Sequence, residues 1–98
     1  MVVPKSPKKP KTQRSLVPPT QHTLAAARVI LGISRAALAE ISGVSLSTIA
    51  RLEEGNGNPT AKSLNKLAFA LFDKGIRFKA ADSEYDGGVL IVRGFSRS

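Results

Sequence analysis

The feature that most constrains this chain is the triplet Gly43-Val44-Ser45, which separates two helical segments each too short to be stable alone. Before it, Ser34 is a good N-cap, and Ala37, Leu38 and Ile41 form an apolar face that Gly43 interrupts after about two turns. After it, Ser45 caps a run from Leu46 to Glu54 with Ile49 and Leu52 inward, and Gly55 ends that run. A glycine between two such helices lets the chain turn sharply, so the pair can pack at a steep angle. Neither helix can bury its apolar stripe without the other, which makes a compact helical domain the expectation.

The flanking sequence supplies the rest of that domain. Leu24, Ala27, Arg28 and Leu31 share one helical face, and Gly32 stops the helix, which predicts a helix over 21–31. Thr60 caps a helix whose Leu64, Leu67, Ala68, Leu71 and Phe72 follow the 3.6-residue period as far as Gly75. Ile76, Phe78 and Ala80 then alternate with Arg77 and Lys79, the period of a half-buried strand; SEYDGG supplies turn residues, and Val89–Val92 reads as a second strand. A lone hairpin is marginal in water, so it must lie on the helices, pair with a second chain, or both. The residues expected at a dimer contact are Ile76, Phe78, Val89, Leu90, Ile91 and Val92. The fold class expected is mainly α, four to five helices with a C-terminal β-hairpin.

Five of the six prolines and five positive charges, Lys5, Lys8, Lys9, Lys11 and Arg14, fall within residues 1–19, without one acid. Proline fixes φ and removes backbone donors, so 1–19 reads as a disordered basic arm, 20–75 as the helical domain and 76–98 as the hairpin and tail. The net charge of +8 on 98 residues favours polyanionic partners, nucleic acid before anionic membrane. Most of that excess sits in the arm, which either lies along phosphates or serves as a solubilising tail. No cysteine and a single histidine, His22, leave no disulfide framework, thiolate metal site or His relay, so no metal or cofactor is expected. Scattered acids and one histidine supply no nucleophile with a base, so an enzyme is not expected. No apolar run reaches the length of a membrane span, and the basic N-terminus lacks a signal peptide's apolar stretch; the expected location is cytoplasmic, at the nucleoid.

Ala39 sharpens the picture. It stands four residues before Gly43 and ten before Ile49, where a small side chain lets the following helix approach closely. With the Ser45 cap, that Ala, Gly and Ile spacing fits a helix-turn-helix. The segments LGISRAALAEISGVS, LSTIARLEEG and the following NP resemble the Cro and phage-repressor-like (XRE) family of regulators over residues 21–72. The tail GIRFKAADSEYDGGVLIV is similar to that of short bacterial members.

The resemblance implies a lambda-repressor-like fold with the helix after Gly43 in the major groove of double-stranded DNA. Leu46, Ser47 and Arg51 would reach base edges, with Ser45 and Thr48 beside the phosphates. The residues agree: with Ile49 and Leu52 inward, Leu46, Ser47, Ala50, Arg51 and Glu54 remain outward. Arg51 is the first choice for specificity, since its planar fork can bond guanine O6 and N7 together; the other reading is an exposed helix-side arginine. The backbone amides of Ser34 and Arg35 open a helix, a natural phosphate site. Arg35 stands where relatives often carry a glutamine that touches phosphate or an outer base, and arginine keeps that donor and adds charge, which implies a contact to the DNA backbone. Asn56, Asn58 and Lys62 could meet the backbone from the other side, although both asparagines read equally well as turn residues. Many relatives place a lysine or arginine in the loop where this chain has NGN, which leaves more of the electrostatic attraction to the arm. In this family an arginine of the first helix commonly forms a buried ion pair with a glutamate of the third, which implies a structural role for Arg28 and Glu53.

The function expected is that of a sequence-specific transcriptional regulator, a repressor or a repressor/activator switch, that binds an inverted-repeat operator as a homodimer. The alternative is a protein-interaction module of the same fold, an antitoxin or an antagonist of another regulator, with a protein partner in place of DNA.

Overall fold

A computed structural model describes residues 16–94. Four helices, α1 (Gln21–Leu31), α2 (Arg35–Ser42), α3 (Leu46–Glu53) and α4 (Ala61–Asp73), are followed by strands β1 (Ile76–Lys79) and β2 (Gly88–Ile91). The helix starts are fixed by side-chain caps that satisfy otherwise orphaned amides. Ser34, Ser45 and Thr60 accept from the amides of Ala37, Thr48 and Ser63. Thr20 caps α1 in a reciprocal box with Thr23. At Gly43 φ is +77°, and a Cβ there would meet nothing within 4 Å, so glycine is needed for the left-handed turn itself and not for space.

One core joins the four helices and β1: Leu24, Ala27 and Leu31 of α1, Leu38 of α2, Val44 of the turn, Ile49 and Leu52 of α3, Leu67 and Leu71 of α4, and Ile76 of β1, with Val89 of β2 packed against it. Ala39 packs half-buried against it. The strands pair antiparallel with Ile76 opposite Ile91 and Phe78 opposite Val89. The sheet has only these two strands, one leaning on α4 and the other on α1.

Several expectations need correction. Ile41, expected on the buried face of α2, is 44% exposed because α2 turns that side away from the core and toward α4. Phe72, one residue round the helix from buried Leu71, lies at the surface beneath the Arg77 guanidinium, 3.4 Å from its ring centroid. β1 starts at Ile76 as expected but ends before Ala80, and β2 is shifted by one residue, so Val92 lies just outside it. Of the six residues expected at a dimer contact, Ile76 is fully buried within its own chain and cannot face another. Phe78 and Val89 pack against the core, while Leu90, Ile91 and Val92 are exposed. At the other end, Leu16 and Val17 line a small cleft with Ala68, Phe72, Ile76 and Phe78, and Pro19 is buried, so packing extends into the expected arm. Lys5, Lys8, Lys9, Lys11 and Arg14 lie outside the described residues.

Candidate nucleic-acid interface

Burial of Ile49, Leu52 and Glu53 fixes the rotation of α3 and decides which side chains it presents. Leu46, Ser47 and Arg51 are exposed on the opposite side, Leu46 at 49%. The first turn carries three hydroxyls in a row. Ser45 Oγ donates to Thr48 Oγ1 at 2.8 Å, accepts from the Thr48 amide, and lies 3.4 Å from Ser47 Oγ. Helix-opening amides beside hydroxyls make a site suited to phosphate oxygens.

Arg51 stands at the edge of a cleft of about 240 Å³ that also contains Thr48, Asn56, Gly57, Asn58, Thr60 and Ser63. The loop is tied to the helix by the Asn56 amide, which donates to the Arg51 carbonyl at 2.8 Å. Gly57, at φ +77°, passes close enough that a Cβ would lie 4.0 Å from Arg51 Cδ and Nε, so the loop forms one wall along the arginine stem. Four residues singled out from sequence, Thr48, Arg51, Asn56 and Asn58, thus converge, joined by Thr60, read from sequence only as a helix cap, and by Ser63, which sequence did not single out. Lys62 lies apart from them, in a groove with Ile41 and Phe69.

Behind this surface lies an ion-pair network. Arg28 donates from Nε and Nη2 to the Glu53 carboxylate at 2.8 and 3.0 Å, and from Nη1 to the Ile33 carbonyl at 3.1 Å. Glu53 Oε1 also accepts from Arg35 Nε at 3.0 Å, while Arg35 Nη1 reaches Glu54 Oε2 at 3.3 Å. The Glu53 side chain is 2% exposed. Burial by itself would raise its pKa, but the hydrogen bonds from Arg28 and Arg35 outweigh that and hold it below the ordinary carboxylate range. The Arg28 guanidinium is pushed up, chiefly by its hydrogen bond to Glu53. Arg35 was expected to point at phosphate; instead its guanidinium is committed to Glu53 and Glu54 and ties the start of α2 to the end of α3. The opening amides of Arg35 and Ala36, which have no carbonyl one turn earlier to bond, are open to an anion at that end of α2. Glu54 as the partner of Arg35 was missed from sequence.

The model of the helix-turn-helix family, Cro/C1 type, matches residues 24–72, from near the start of α1 to the last turn of α4. The chain belongs to this helix-turn-helix family. It is a family of DNA-binding regulatory domains, not an enzyme family, and the present helix-turn-helix protein is accordingly a DNA-binding transcription regulator. No curated protein matches it. Within the family frame α2 and α3 are the two helices of the motif and Gly43-Val44-Ser45 is its turn. Among the described residues of this helix-turn-helix protein no helix is long and apolar enough to cross a membrane.

Proposed function

We propose that the chain is a sequence-specific regulator, acting as a repressor or as a repressor/activator switch at the nucleoid, that binds an inverted-repeat operator as a homodimer with α3 in the major groove. The observation that carries this reading is the convergence of Arg51, Thr48, Asn56 and Asn58 on one cleft beside the exposed start of α3. Arg51 supplies the fork that reads guanine, Leu46 an apolar contact for a thymine methyl, and Ser47 a permissive donor and acceptor. Ser34, Ser45, Thr48, Asn56 and Asn58 address phosphates, with the arm residues Lys5, Lys8, Lys9, Lys11 and Arg14 adding charge along the duplex. Arg35 acts mainly as a brace for the motif.

The dimer is supported by the hairpin. β2 has no strand partner on its outer side among the described residues, and Leu90, Ile91 and Val92 are 56%, 49% and 40% exposed there. A second copy of the strand would satisfy that row of backbone groups and cover the apolar side chains about a two-fold axis. Two copies of α3 must then lie roughly 34 Å apart to meet successive major grooves on one side of the duplex.

Selection of binding sites from a random duplex pool tests this. An enriched inverted repeat, bound far more tightly than a scrambled duplex at two salt concentrations, is the expected outcome. Equal, salt-sensitive binding to both duplexes would leave only charge-driven contact and favour the protein-interaction module, to which the exposed Leu46 would then belong.

A further inference from the structure

The outer stripe of α4 carries Lys62, Asn65, Lys66, Phe69 and Asp73, which recur at i, i+3, i+4, i+7 and i+11 and therefore share one face. The core stripe of Leu64, Leu67, Ala68 and Leu71 faces elsewhere. Where the outer stripe passes the end of α2, Ile41 and Ser42 complete an open groove of about 660 Å³. Its apolar floor is Ile41 and Phe69, each 44% exposed, two large side chains that the fold leaves uncovered. Two lysines against one aspartate give the lining a positive balance.

The opposite polarity sits at the tip of the hairpin. Residues 82–86 hold Asp82, Glu84 and Asp86, three of the chain's seven acids, around Tyr85, its only tyrosine. The turn is internally braced. Asp82 Oδ1 accepts from the amides of Glu84 at 2.8 Å and Tyr85 at 2.7 Å, and the Asp82 amide donates to the Tyr85 carbonyl at 2.9 Å. The bonds from the Tyr85 and Glu84 amides hold the Asp82 carboxyl below its ordinary range, so it stays charged. Tyr85 itself is 58% exposed. A braced turn thus presents an aromatic ring amid carboxylates, with little conformational freedom left to lose on docking.

We propose that the acidic turn 82–86 of one copy seats Tyr85 in the Ile41–Phe69 groove of a second copy, its flanking carboxylates facing Lys62 and Lys66. The ring would cover the two exposed apolar side chains, and the charges complement one another in sign. Turn and groove are different surfaces of the chain, and in the head-to-tail arrangement proposed each copy keeps a free turn and a free groove for further copies. It is separate from the pairing along β2 and rests on neither that pairing nor DNA binding. With one aromatic anchor the contact is weak between free chains; copies held side by side on a duplex would experience it at high effective concentration.

Because the chain has one tyrosine and no tryptophan, its intrinsic fluorescence reports Tyr85 alone. Acrylamide quenching of the full chain, measured at low salt from dilute to concentrated solution, should fall about twofold as Tyr85 becomes covered. Sedimentation should show species larger than two chains over the same range. The Lys62→Glu/Lys66→Glu variant, altered only at exposed positions, should keep its circular dichroism, lose the concentration dependence of its quenching and form nothing larger than two chains. Adding Glu84→Lys and Asp86→Lys, which inverts both sides, should restore it. Quenching of the intact chain that does not change with concentration would overturn the proposal, as would an inverted variant that fails to recover. β2 pairing alone would give two chains with Tyr85 as quenchable as in dilute solution, so the two associations fail separately.

Discussion

Glu53→Ala is the substitution from which the network geometry allows the most definite expectation. Glu53 is 2% exposed and pairs with two guanidinium groups, so its removal leaves Arg28, itself 19% exposed, without its carboxylate in a partly buried site. Breaking one side of a buried pair costs about 3–5 kcal/mol, against about 5–15 kcal/mol for the whole of a small domain. For a chain of this size each kcal/mol moves the melting temperature by about 4–8 °C, so a fall of at least about 12 °C is expected. Arg35 is a contrasting control on the same carboxylate. It is 35% exposed and Glu53 keeps both bonds from Arg28 when it is gone, so Arg35→Ala should cost only about 1 kcal/mol, and less at high salt. Urea unfolding of both variants at two salt concentrations separates the two costs. Equal losses for Glu53→Ala and Arg35→Ala, or a loss below about 1 kcal/mol for Glu53→Ala, would refute the assignment of Glu53 as the buried hub.

Three further outcomes follow from the same geometry. The Glu53 pKa is lowered on folding, so its contribution is fully present above the ordinary glutamate value of about 4.3 and is lost as the pH falls through the lower folded value. Unfolding of Glu53→Gln should therefore lose part of its acid dependence in that window, and an unchanged pH profile would contradict the coupling. Removing residues 1–15 spares the packed Leu16 and Val17 but deletes all five basic residues of the arm; the log–log salt slope of DNA binding should flatten by about 0.9 per lost phosphate contact, and an unchanged slope would reduce the arm to a solubilising tail. Leu90→Arg, at an exposed position on β2, should abolish dimers in sedimentation while leaving the melting temperature of the dilute protein within a few degrees; dimers that persist would move the interface off this strand.

What was legible in the sequence is what depends on neighbours along the chain. The starts of α2, α3 and α4 after Ser34, Ser45 and Thr60 are legible because a hydroxyl cap is a local signal, and the turn at Gly43 because its φ suits glycine. Periodicity did less well at helix edges. Leu71 and Phe72 differ by one step round the helix, yet the first is fully buried and the second is at the surface, and only the neighbouring elements decide which. Ile41 was misplaced for the same reason, because an eight-residue helix has too few positions to define the centre of its apolar stripe. The site divides likewise. Burial of Ile49 and Leu52 fixes the outward set of α3, including Arg51, from local spacing alone. The attachment of Arg35 to Glu53 and Glu54 spans 18 and 19 residues and depends on a long side chain choosing carboxylate over solvent, which no periodicity encodes.

The central claim is that the outward face of α3 reads base edges, and site selection carried out side by side with the intact chain and Arg51→Ala tests it most directly. Arg51 is exposed and caps nothing, so the variant should keep its fold. Its selected sites should lose a guanine preference at one base pair in each half of the inverted repeat, at a cost of about 1–3 kcal/mol in affinity for the original operator, with the other positions unchanged. A variant that selects the same sequence with the same preference at every position would show that α3 does not read DNA through Arg51 and would contradict the account.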